Sequence, residues 1–85
     1  MNFELQDIIE KVGGKINETI CEDPKVYGFK WQSINWWIGV SDRDKDELAI
    51  QTEDNGLSGE PTDFIKANTE DLKRYLEENI KKIEL

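Results

Sequence analysis

Asp42-Arg43-Asp44-Lys45-Asp46 places carboxylates at alternate positions, and Glu53 follows eleven residues after Asp42. This spacing reproduces the ligand positions 1, 3, 5 and 12 of a calcium loop, in which oxygen ligands converge on one cation. Position 6 of such a loop needs a glycine for its sharp turn, and here it is Glu47. Arg43 and Lys45 also offset the negative charge that a cation would require. The run therefore reads as a solvated hairpin turn, with no metal and no cofactor expected.

Carboxylate-dependent nuclease chemistry would need an acidic residue near a lysine on one strand, and Glu47-Leu48-Ala49-Ile50-Gln51-Thr52-Glu53 contains no lysine. With 19 Asp and Glu in 85 residues, close acidic pairs arise by chance. The absence of histidine removes Ser-His-Asp and Cys-His catalysis and His-containing zinc sites. Cys21 would need a base or a cationic neighbourhood to act as a nucleophile, and its neighbours are Glu22 and Asp23. It reads as an apolar packing residue. No catalytic residue is assigned, and the expectation is a protein that is not an enzyme.

What remains is charge. Nineteen acids against eleven bases give a net charge of −8, which opposes direct contact with nucleic-acid phosphates or anionic lipid. The charge is unevenly placed. From Asp42 to Asp63 there are eight acids (Asp42, Asp44, Asp46, Glu47, Glu53, Asp54, Glu60 and Asp63) against Arg43 and Lys45, a net of −6; the rest of the chain holds eleven acids against nine bases, a net of −2. Such an acidic edge can steer a basic protein surface toward itself, or it can serve solubility alone.

The elements that position these residues follow from periodicity. Leu5, Ile8, Ile9, Val12, Ile16 and Ile20 recur at three- and four-residue steps, which predicts an amphipathic helix over about 3–21, capped by Asn2 and strained by Gly13-Gly14. Beyond Asp23-Pro24 the period becomes two, predicting strands over about 25–31, 36–41 and 47–53. Across a turn at 32–35, Trp31 pairs with Trp36, Phe29 with Ile38 and Tyr27 with Val40, so the large apolar groups share one face. Trp36 and Trp37 then point to opposite faces. In this register Trp37 lies opposite Lys30, with an ammonium over its indole, either as a partner-binding group or beneath the 53–63 segment through Leu57. Asn55-Gly56, Ser58-Gly59 and Glu60-Pro61 are turn dipeptides, which predict a long loop over about 54–67 ending where Phe64 and Ile65 meet the core. Asn68 and Thr69-Glu70-Asp71 open a final helix over about 69–83.

The expected fold is one α+β domain spanning 1–85, in the order α-β-β-β-(long loop)-α. Its three-stranded antiparallel meander carries both helices on one face. The expected function is a non-enzymatic acidic protein-binding module, most concretely a small inhibitor or immunity-type protein directed at a basic, nucleic-acid-handling protein. The alternatives are an oligomerisation module using the open sheet face, or a carboxylate-dependent metal-binding protein or enzyme. A lone cysteine and a start without the apolar run of a signal peptide suggest the cytoplasm.

Overall fold

A computed structural model describes residues 4–22, 25–59 and 62–83. The described residues form a single small α+β domain built on five antiparallel strands in sequential order. Among the described residues three helices accompany the sheet: α1 (Leu5–Lys11), α2 (Glu53–Ser58) and α3 (Thr69–Ile83). The strands are β1 (Lys15–Glu22), β2 (Lys25–Trp31), β3 (Ile34–Val40), β4 (Glu47–Thr52) and β5 (Asp63–Lys66). No helix among the described residues is long and apolar enough to cross a membrane.

The predicted first helix is wrong beyond residue 11. Gly13 adopts φ +89°, and the amides of Gly13 and Gly14 turn back to the carbonyls of Glu10 and Ile9, which ends the helix. Ile16 and Ile20 are four apart, and four is also a multiple of the strand period, so their spacing could not separate helix from strand. The β-branched Ile16, Thr19 and Ile20 favour the strand, which pairs with β2 through two register shifts. Asn2 and the Asp23-Pro24 and Glu60-Pro61 dipeptides lie outside the described residues. Cys21, expected in packing, is instead exposed on this edge strand.

The β2–β3 register differs from expectation by two residues. Phe29 pairs with Trp36, Tyr27 with Ile38 and Trp31 with Ile34. The turn is only Gln32-Ser33, both at positive φ (52° and 67°). This is the hairpin geometry that matches strand twist, and it is usually signalled by Asn-Gly, which this sequence lacks. A two-residue slip preserves the inward face, so the predicted core survives the wrong register.

That core joins Leu5, Ile8 and Ile9 of α1 and Leu72 and Leu76 of α3 to the inward strand residues Tyr27, Phe29, Trp31, Trp36, Ile38, Leu48 and Ile50. Fully burying a side chain such as Leu72 or Phe29 contributes about 1.5–3 kcal/mol. The indole of Trp31 donates to the Val12 carbonyl at 3.0 Å, tying the end of β2 to the end of α1. At the start of α3, the Asn68 side chain accepts from the Asp71 amide at 2.7 Å, as the capping signal implied.

The predicted loop at 54–67 contains α2 and β5. Thr52 caps α2, its hydroxyl accepting from the Asn55 amide at 3.1 Å, and Gly59 closes it at φ +79°. Six residues with no buried side chain carry no helical stripe, and β5 offers only Phe64-Ile65 as an apolar signal, which is why neither element stood out in the sequence.

The strained turn yields a test. Replacing Gln32-Ser33 by Asn-Gly suits both left-handed positions and is expected to stabilise the domain by about 1–2 kcal/mol, read as a higher denaturant midpoint at unchanged slope. An unchanged or lower midpoint would contradict the two-residue turn.

Candidate functional site

The acidic segment does not form one continuous edge. Asp42, Asp44, Asp46 and Glu47 stand at one end of β4, and Glu53 and Asp54 begin α2 at the other. Six strand residues separate the groups by roughly 20 Å. Glu53 therefore does not close a loop with Asp42, Asp44 and Asp46, and no three potential metal ligands converge among the described residues.

The turn end is committed to local structure. Asp44 Oδ1 accepts from the Asp46 amide at 2.9 Å, and Ser41 Oγ accepts from the Arg43 amide at 3.2 Å. Arg43 donates from Nε and Nη2 to the two carboxylate oxygens of Glu47, at 2.6 and 3.2 Å. Its guanidinium also lies 3.7 Å above the Phe64 ring centre. The hydrogen bond from Arg43 holds the Glu47 carboxyl below its usual range, and the same bond raises the Arg43 pKa. Glu47 is thus occupied in bracing the turn against β5, while Asp42, Asp44 and Asp46 remain exposed.

The opposite end is concave. Glu53, Asp54 and Asp63 line a cleft of about 370 Å³ bounded by Ile34, Asn35, Trp36, Tyr75, Asn79 and Lys82. Tyr75 donates its hydroxyl to Asp63 Oδ2 at 2.7 Å and meets Trp36 edge to face, with ring centres 6.1 Å apart. Burial, followed by the bond to Asp63, pushes the Tyr75 pKa well above its ordinary value, so at neutral pH the phenol is a fixed donor. A second concavity of about 210 Å³ shares Asn35, Trp36 and Glu53 with the first and adds Asn17, Glu18, Gly28 and Trp37. Glu53 lines both hollows. Carboxylates and amides beside aromatic rings form a setting suited to an ammonium or guanidinium group.

Three sequence expectations change here. Lys30 pairs with Asn35 and Trp37 with Gly28, so Lys30 is not opposite Trp37 as expected. The cation–π contact that does occur, Arg43 on Phe64, joins residues far apart in sequence and had no local signal. Trp37 is half-buried beneath α2, with Gly56 against its six-membered ring and Leu57 turned out to solvent at 73% exposure, so α2 covers the indole through Gly56 and not Leu57. Glu18 lies in the stretch whose spacing predicts a helix, so nothing in the sequence singles it out; its place opposite Gly28 on the outer face brings it to the acidic end. Glu60 lies outside the described residues.

No protein-family model, curated protein or solved structure matches this chain.

The Tyr75–Asp63 bond has a pH consequence. A phenol whose pKa is raised in the folded state contributes stability that is present in full below the unfolded value of about 10 and is lost as pH rises toward the folded value. Above pH ~10 the wild type should lose up to about 1.4 kcal/mol per pH unit more than Tyr75→Phe, less solvent screening at this half-exposed site. Urea titrations at pH 8 to 11 measure this; parallel pH profiles for the two proteins would remove the phenol from the account.

Proposed function

We propose that this domain is a non-enzymatic module that binds a basic protein surface. In its most concrete form it is an inhibitor or immunity-type protein that occupies the phosphate-binding face of a nucleic-acid-handling protein. The single observation that supports this reading is the grouping of Glu53, Asp54 and Asp63 around a cleft walled by Trp36 and Tyr75, with Glu18 on the adjoining surface. A lysine or arginine side chain of the partner enters between the carboxylates and rests against the half-exposed Tyr75 ring. Asp42, Asp44 and Asp46 at the far end of β4 add long-range attraction, which raises the association rate more than the affinity.

The oligomerisation reading has less support, because α2 occupies part of the outer sheet face and β1 is interrupted by two register shifts that blunt an edge strand.

The test is capture from the source cell's lysate at about 50 and 300 mM salt, followed by titration of the retained protein. Glu53→Lys with Asp54→Lys is expected to weaken binding by at least about tenfold at low salt. Asp42→Lys with Asp44→Lys should mainly slow association. Binding indifferent to salt and to both double variants would overturn the electrostatic reading, and loss confined to the Asp42 and Asp44 variant would move the site to the turn.

A further inference from the structure

We propose that α2 is a detachable cover over Trp37, closed in this structure and opening between Thr52 and Gly59 while the rest of the domain stays folded. The cover is weakly held. None of its residues is buried, and Leu57, its large apolar side chain, points away from the sheet at 73% exposure. The side-chain hydrogen bonds on α2 are local: Thr52 Oγ1 accepts from the Asn55 amide, and Ser58 Oγ donates to the Asn55 carbonyl. Among the described residues, no ion pair joins α2 to another element. Six residues fall far short of the ~12–15 that an isolated helix needs to hold its shape in water.

What holds α2 down is contact with the Trp37 ring, with the Gln51 side chain of β4 beside it. A Cβ built on Gly56 would overlap Cζ3 and Cε3 of Trp37, so the helix backbone lies directly on the indole. By contrast, α3 is anchored by the fully buried Leu72 and Leu76 and by the Tyr75–Asp63 bond. Segments with few buried contacts open at lower free energy than the core, and a minor state of this kind is typically populated at about 0.1–10%.

Opening changes what the acidic end presents. The indole that becomes accessible belongs to the strand partner of Gly28, and Glu18 and Glu53 line the same hollow. Trp37 then becomes a contact group for the basic partner proposed above, which deepens that reading; the cover itself is tested on the protein alone, so the two stand or fall separately.

The experiment incorporates 5-fluorotryptophan at all three tryptophans, assigns Trp37 through Trp37→Phe, and records fluorine relaxation dispersion and amide hydrogen exchange. Trp37 is expected to exchange with a solvated minor state while Trp36 does not, and the 53–58 amides should exchange at least about 100-fold faster than those of β3. Gly56→Ala should increase the open population by about tenfold. Because alanine is the better helix former, that increase reports the collision with the ring and not a weaker helix. Leu57→Ala should leave the population unchanged. A single shielded Trp37 signal, with 53–58 amides as protected as those of β3, overturns the proposal. Should Gly56→Ala unfold the domain, the wild-type exchange rates decide alone.

Discussion

Trp36 and Trp37 are consecutive residues of β3, and the pleat of a strand sends consecutive side chains to opposite faces. Two large indoles therefore need two separate covers. Trp36 finds its cover in the main core, beneath Tyr75 and the helices that carry Leu5, Ile9, Leu72 and Leu76, and it is fully buried there. Trp37 has only a row of small and polar neighbours, Gly28 on one side and Gln51 on the other, and the short α2 lies over it through Gly56. The layering follows from this constraint: α1 and α3 on one face, a thin cover on the other, and the ends of the sheet left open.

The same arrangement distributes the charge. Because β4 runs between Glu47 and Thr52, its two ends hold different acidic groups with different duties. At one end Arg43 is divided between Glu47 and Phe64, so an ion pair and a cation–π contact together brace the β3–β4 turn against β5. Acid weakens that brace: a carboxyl held below its usual range stabilises the fold at neutral pH, and the contribution disappears as pH falls through its folded value. At the other end Glu53, Asp54 and Asp63 surround a cleft in which the Tyr75 hydroxyl is already committed to Asp63. At the turn end Arg43 is taken up by Glu47 and Phe64, whereas the cleft end gathers Glu53, Asp54 and Asp63 with Lys82 on the same lining.

Much of the architecture was legible one residue at a time. Alternation in β2, β3 and β4 marked the inward face, and the cap at Asn68 with the stripe from Leu72 to Ile80 marked α3. The errors share a cause, which is ambiguity of period or lack of it. Ile16 and Ile20 fit a helix and a strand equally, so their spacing alone extends the α1 stripe into what is β1. The turn at Gln32-Ser33 carries no glycine or asparagine at its positive-φ positions, so the sequence does not mark it as a two-residue turn. The four residues of β5 are too few for any pattern to register. Of the candidate site, composition points to the acidic residues between 42 and 63 but not to Glu18, which falls in the stretch whose period fits a helix, nor to Tyr75 and Asn79, which nothing local links to Asp63.

By itself, the sequence determined that these residues offer no histidine chemistry, which strand faces point inward, where the charge concentrates, and that Trp36 and Trp37 must part. These are properties of residue type and of short-range periodicity, which need no knowledge of what lies across the fold. Only the tertiary structure decided that β1 is a strand, that α2 and not Lys30 meets Trp37, and that the acidic stretch divides into a braced turn and an open cleft. Those outcomes depend on the pairing of distant segments, where a two-residue change of register preserves every inward side chain yet replaces every cross-strand neighbour.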